Sequence, residues 1–169
     1  MAEQLDPKNA ETCPGNNLSN EVIDACVKLI RQGDAVDPES AKAELPLAEM
    51  VAMRRAGQKV VAIGAIKRRR PKYAADIAQK SGFSFDHNML ELGYVSVGKS
   101  HQGQGLSHQI VTSLLTALPD RSLFATTSYE RMKGTLKKAD FILKGNEWQG
   151  NKSQLSLWIK SGKSGQSTT

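Results

Sequence analysis

The 169-residue chain is the size of one ordinary domain, long enough to bury about two thirds of its unfolded surface in a single core. With 39% hydrophobic and 24% charged residues it falls outside the disordered and fibrous classes, and no apolar run reaches the ~20 residues of a membrane span. A net charge of +6 attracts phosphate-bearing partners without choosing among coenzyme, nucleic acid and acidic protein, while two cysteines, Cys13 and Cys26, are too few for a disulfide framework or a four-ligand zinc site and read as structural thiols.

The start, Met-Ala-Glu-Gln-Leu-Asp-Pro-Lys, is polar and carries acids, unlike a secretory signal or transit peptide, so a cytoplasmic location is the expectation. Residues 1–17 lack periodicity and read as a flexible N-terminal extension. From Ser19 to Gln32, Val22, Ile23, Cys26, Val27, Leu29 and Ile30 recur at helical spacing, with Gly33 as the stop. Asp37-Pro38-Glu39-Ser40 opens a second, short helix with a cap and a first-turn proline, and Pro46 lies beyond its end. Leu47–Arg54 and Lys59–Lys67 then read as strands joined by the turn Ala56-Gly57.

The basic run Lys67–Lys72 leads into a helical stretch, Tyr73–Lys80, stopped by Ser81-Gly82. Leu90–Val97 alternates like a strand, and Gln104–Leu118 carries one apolar helical stripe ended by Pro119. A strand over Ser122–Thr127, a helix over Glu130–Ala139 and strands near Phe141–Lys144 and Leu155–Ile159 follow, before a polar tail over 161–169. The order is mixed α/β, with no internal repeat.

Between Gly93 and Ser107, GYVSVGKSHQGQGLS offers two phosphate cradles. Its first eight residues satisfy G-x-x-x-x-G-K-[ST], the triphosphate loop. That loop needs irregular backbone, whereas Tyr94, Val95, Ser96 and Val97 favour an extended strand. A helix beginning at Lys99-Ser100 would carry Gly103 and Gly105 in its first turns, at about 1 kcal/mol each. The later strand Ser122–Thr127 has no carboxylate to hold magnesium, and a dinucleotide fingerprint fails at His108, where it needs glycine. Gln102-Gly-Gln-Gly-Leu-Ser107 has the better context: a strand ends at Val97 and the turn runs into an amphipathic helix, aiming free N–H groups and the positive helix end at an anion.

Gln102-x-x-Gly105-x-Ser107 resembles the [Q/R]-x-x-G-x-[G/A] signature of the GNAT superfamily of N-acetyltransferases, with Ser in the final small position. The element order over residues 18–160, Phe124-Ala-Thr-Thr127 and Leu136-Lys-Lys-Ala-Asp-Phe141 resemble that family as well, although Asp140 stands where it usually has Gly. The resemblance implies a mixed α/β fold with a mostly antiparallel, twisted sheet of six to seven strands flanked by helices. It also implies acetyl-CoA as donor, with no metal, and direct attack of a primary amine in a ternary complex. In that reading the cradle formed by Gln102, Gly103, Gln104, Gly105, Leu106 and Ser107 holds the pyrophosphate. Val95, Ser96 and Val97 pair with the pantetheine amides and supply an oxyanion donor.

Glu91 shares its strand parity with Gly93, Val95 and Val97 and is the candidate base, against the plain alternative of an exposed strand carboxylate. The family's usual tyrosine acid falls at Leu136, so Tyr129 at the start of that helix is the candidate substitute. His101 and His108 read as phosphate contacts or exposed side chains, since no third ligand is spaced to help them hold a metal. The Lys67–Lys72 run reads as a solvated cluster, or else as a contact for the coenzyme's 3′-phosphate or an anionic acceptor. The amine belongs to a small molecule or a protein. Nucleic acid is the less favoured partner, because 5% aromatic residues give little for bases to stack on. No membrane is expected, and a homodimer stays open. The rival class is a catalytically weak or inactive member that keeps the fold to bind a protein or nucleic acid.

Overall fold

A computed structural model describes residues 10–32, 37–86 and 88–162. Gly33, the expected stop of the first helix, residues 1–9 of the expected extension and residues 163–169 of the expected tail lie outside them. Seven strands form one sheet in the order β1-β2-β3-β4-β5-β7-β6. They are β1 (Glu11–Cys13), β2 (Met50–Ala56), β3 (Lys59–Lys67), β4 (Leu90–Val97), β5 (Leu123–Thr127), β6 (Ile142–Gln149) and β7 (Gln154–Lys160). Pairing is antiparallel at β1–β2, β2–β3, β5–β7 and β6–β7, and parallel at β4–β5. Five α-helices accompany it: α1 (Asn20–Gln32), α2 (Pro38–Glu44), α3 (Pro71–Ser81), α4 (Leu106–Ala117) and α5 (Glu130–Lys138). The sequence reading leaves residues 1–17 outside the domain, whereas Glu11–Cys13 pairs with Val51–Met53 and belongs to the sheet.

The chain divides into two compact units. One comprises the chain up to Lys67 together with Gly93–Leu118, the other Arg68–Leu92 together with the chain from Pro119 onward. In the first, β2 and β3 present two unlike faces. Met53 opposite Ile63 and Val51 opposite Ala65 join a core with Ile23, Cys26, Val27 and Ile30 of α1. Ala52 opposite Gly64 and Arg54 opposite Ala62 occupy the other face, where small residues let a helix come close. α2 starts as its sequence demands: Asp37 Oδ2 accepts from the Ser40 N–H at 3.2 Å, and Pro38 needs no acceptor in the first turn.

In the second unit α3 begins at Pro71 and ends at Gly82, whose φ of 78° takes the left-handed conformation that terminates helices. Its buried Ile77 joins a core of Met89, Phe124, Trp148, Leu157 and Ile159, with Tyr73 packed against it. Phe85 adds an edge-on contact to Phe124, with ring centroids 4.7 Å apart. α5 closes with a Schellman motif: the Phe141 N–H donates to the Leu136 carbonyl at 3.0 Å and the Asp140 N–H to the Lys137 carbonyl at 3.1 Å.

Candidate functional site

The turn between β4 and α4 is built almost wholly from backbone. At the strand's end the Gly98 N–H donates to the Val61 carbonyl of β3 at 2.8 Å, tying the loop's root to the sheet. Lys99–His101 then makes a single 3-10 turn, and the Gln102 side-chain amide reaches back to the Val97 carbonyl at 3.2 Å. Gly103 and Gly105, at φ of 81° and 75°, reverse the chain into the helix. An added Cβ at either would meet nothing within 4 Å, so glycine is needed there for the sign of φ and not for room.

α4 starts at Leu106 with Gly105 as its N-cap, and no side chain caps its first turn. The first-turn N–H groups of Leu106, Ser107 and His108 have no acceptor within the helix and face a rim on which Gln102, Gly103, Gln104 and Gly105 are all exposed. Free N–H donors, left-handed glycines and a positive helix end together suit a diphosphate.

What fixes this helix start is the small-residue face of the hairpin. A Cβ on Gly64 would lie 2.5 Å from Ile110 Cγ2, with Leu114 and Val95 side-chain carbons at 3.3 Å, so α4 presses onto β3 at a point only glycine leaves open. Leu106, Ile110, Val111 and Leu114 are buried in that contact. Arg54 of β2, itself buried, donates to the Gln109 side chain in the first turns of α4. The triphosphate-loop reading fails on the same geometry. Tyr94–Val97 is strand, Lys99 and Ser100 are exposed residues of the 3-10 turn, and the helix begins seven positions beyond Lys99.

His101 is buried, not exposed as one of its two readings had it, and its Nδ1 lies 2.9 Å from Ser100 Oγ. His108 is half-buried, with an Nδ1 that makes no hydrogen bond among the described residues. Among those residues no group of three His, Cys, Asp or Glu is placed to hold a metal ion.

The structure places Glu91 differently from a plain strand carboxylate. It is 5% exposed, in register with Phe124 on β5, and its Oε1 lies 3.5 Å from Arg70 Nη2. Glu91 and Val95 are not related by simple strand parity, because Tyr94 between them adopts a φ of 58° and interrupts the two-residue repeat of β4. Arg70 is the N-cap residue of α3, and its guanidinium stacks on the Tyr73 ring at 4.3 Å. The Tyr73 hydroxyl lies 3.0 Å from Thr126 Oγ1. Burial pushes the Tyr73 phenol up, and the negative charge of Glu91 adds to it. The Thr126 hydrogen bond and the Arg70 cation pull it partly back.

The basic run is therefore not one solvated cluster. Lys67 is buried with its Nζ 4.0 Å above the Tyr94 ring, Arg69 donates to the Asp86 carbonyl, and Arg70 turns to Glu91, leaving Arg68 and Lys72 exposed. Sequence reasoning missed Tyr73, Thr126 and Arg54, since none sits in a motif, and it named Arg70 only as one member of the Lys67–Lys72 run. The signal that sets Arg70 apart was Arg70-Pro71, a residue held extended beside a proline that opens a helix. Tyr129 caps the start of α5, is 56% exposed, and its N–H donates to Thr127 Oγ1 at 3.1 Å. Leu136, at the position where the family's tyrosine was sought, is fully buried core.

No protein-family model matches the sequence, and no curated protein does. Solved structures match over nearly the whole chain. An acyl-CoA N-acyltransferase from Pseudomonas aeruginosa is 13% identical, with a TM-score of 0.65 over 94% of this chain and 100% of that one. A GNAT-family acetyltransferase from Streptococcus agalactiae is 12% identical, with a TM-score of 0.69 over 95% and 99%. RimL, a ribosomal α-N-protein acetyltransferase solved in complex with coenzyme A, is 11% identical, with a TM-score of 0.63 over 95% and 99%. The chain has the GNAT fold, and its seven-stranded mixed sheet falls within the six to seven strands that the resemblance implies.

Proposed function

We propose that this GNAT-fold chain is an N-acyltransferase that moves an acetyl group from acetyl-CoA to a primary amine. The observation that carries the reading is the uncapped helix start at Gly105–Leu106 behind two left-handed glycines, a cradle for a diphosphate such as coenzyme A contains. The N–H groups of Gly103, Gln104, Gly105, Leu106 and Ser107 hold the pyrophosphate and Gln102 braces the turn. Val95, Ser96 and Val97 pair with the pantetheine amides, and one of their N–H groups donates to the thioester oxygen.

An acceptor amine arrives as its ammonium and first gives one proton to the Glu91 carboxylate, because only the neutral nitrogen has a lone pair to donate. The nitrogen then bonds to the thioester carbon, and the π electrons move to the carbonyl oxygen. As that oxyanion collapses the C–S bond breaks. The nitrogen loses its second proton, and the departing thiolate gains one, with Tyr129 as the candidate donor to be reprotonated from the nitrogen. Glu91 releases its proton to solvent. The products are the amide, coenzyme A and one proton.

Calorimetric titration with acetyl-CoA is the test. Binding below millimolar concentration is expected, and Gly105→Val should weaken it at least tenfold by forcing a β-branched residue to a φ of 75°. Absence of binding by the unaltered protein would sink the reading. The buried Leu136 favours a second reading, a GNAT-fold binding module without turnover. That module would bind acetyl-CoA or a macromolecule yet release no thiol, above hydrolysis, with any amine offered.

A further inference from the structure

We infer that the acceptor carries a carboxylate close to its amine, and that Arg70 is the residue that selects it. The inference rests on the N-acyltransferase reading and names the substrate class for the same chemistry. Glu91 is the only acid among the buried polar and charged side chains of the described residues, and the group standing over it is a cation. The Arg70 side chain is 41% exposed against 6% for Glu91, so the guanidinium is the more accessible partner of the pair.

That guanidinium is held in place. Its face lies on the Tyr73 ring, the Tyr73 hydroxyl is fixed on Thr126, and Pro71 locks the backbone directly after Arg70. The contact from Arg70 to Glu91 runs from Nη2 to Oε1 at 3.5 Å, longer than the roughly 2.7–2.9 Å of a charge-assisted hydrogen bond, so it does not take up the guanidinium's directed donors. The planar group can therefore offer further donors to a second carboxylate while still shielding the first.

The surrounding charge has the same sign. Arg68 and Lys72, its neighbours in sequence, are exposed and Asp76 is ion-paired with Lys80 at 3.1 Å, so basic groups outnumber acidic ones along this stretch. A polyamine or a lysine-rich segment would bring positive charge to a positive rim. An amino acid, or a chain terminus bearing an acid beside its amine, would set its carboxylate on Arg70 and its nitrogen toward Glu91.

Acetyl transfer would be measured, as thiol release from acetyl-CoA, to glycine, L-aspartate and L-glutamate, to the matching amides with the carboxylate beside the amine blocked, and to spermidine. The unaltered protein should show kcat/KM at least tenfold higher for each free acid than for its amide, with spermidine slowest. In Arg70→Gln that acid-to-amide ratio should fall at least tenfold, and Arg70→Lys, which keeps the charge but loses the planar fork, should lie between. The ratio is internal to each protein, so a variant with less folded material still reports it. Spermidine or the amides serving as well as the acids would overturn the inference while leaving N-acyl transfer standing. A preference that survives in Arg70→Gln would remove Arg70 from the role. If acetyl-CoA binds and no amine releases thiol, acyl transfer itself falls, and the inference with it.

Discussion

Asp140 is a single residue whose cost can be read from its backbone. Its φ of 68° lies in the left-handed region, where a side chain costs roughly 1–2 kcal/mol that glycine does not pay. The Schellman bonds around it and the burial of Leu136 and Phe141 hold it there. Asp140→Gly should therefore raise stability by about 0.5–1 kcal/mol, a rise of a few degrees in Tm by calorimetry. No gain would mean that the aspartate side chain contributes a compensating interaction. The departure from the family pattern noted in the sequence thus leaves the backbone shape intact. At Glu91 sequence and structure relate the other way. Its identity as the acid to consider was legible, but its surroundings were not. Arg70 is twenty-one positions away, and only tertiary packing brings it to Glu91, as it brings Thr126 to Tyr73. The cradle was legible for the opposite reason, since Gln102 to Ser107 is contiguous and its glycines announce their own φ values.

Among the elements, α4 shows how a helix position is set by the strand beneath it. Its apolar stripe was plain in the sequence, yet the stripe alone does not say how deep the helix sits. Depth is set by Ala52, Ala62 and Gly64, the small residues on the opposing face of β2 and β3. Gly64→Ala would put a carbon 2.5 Å from Ile110 Cγ2, so side chains or the helix must shift, at about 1–3 kcal/mol. The measured outcome should be a lower Tm and a weaker acetyl-CoA isotherm together, because Gln109 and Leu106 move with Ile110. A lower Tm with unchanged affinity would show that the helix start does not depend on this contact.

β3 and β4 were legible to the residue because Val60, Val61, Ile63 and Ile66 make one strand rich in β-branched residues and Tyr94, Val95 and Val97 favour extended backbone in the other. β1 was not, since Glu11-Thr12-Cys13 carries no pattern and is a strand only because β2 offers it an edge. β6 runs beyond the expected Lys144 because Gly145-Asn146, a turn signal on paper, is an irregularity within the strand. Gly145 there takes a φ of 71°, and an added Cβ would lie 2.5 Å from the Ser81 carbonyl.

At the scale of the whole molecule, stability against alkali follows from three acids that ionise less readily when folded. Burial pushes the Cys26 thiol up to about 12, where it lies on Met53 with the sulfurs 3.8 Å apart. Burial, aided by Glu11, raises Cys13 as well, and burial with Glu91 raises Tyr73. In the unfolded chain a thiol gives up its proton near pH 9, while the folded chain keeps that of Cys26 to about 12. Between those values the unfolded state binds fewer protons, so stability falls as pH rises, by up to ~1.4 kcal/mol per pH unit for each such group. Below pH 8 these groups are protonated in both states and contribute no slope. Urea midpoints should therefore stay level from pH 7 to 8 and decline from pH 9 to 11, and Cys26→Ala should make that decline shallower by about one proton. Equal slopes in the two proteins would show that Cys26 ionises without unfolding. Its reactivity supplies an independent reading, because a thiol with no exposed surface should label with an aromatic disulfide only as fast as the protein opens, whereas the half-buried Cys13 should label first.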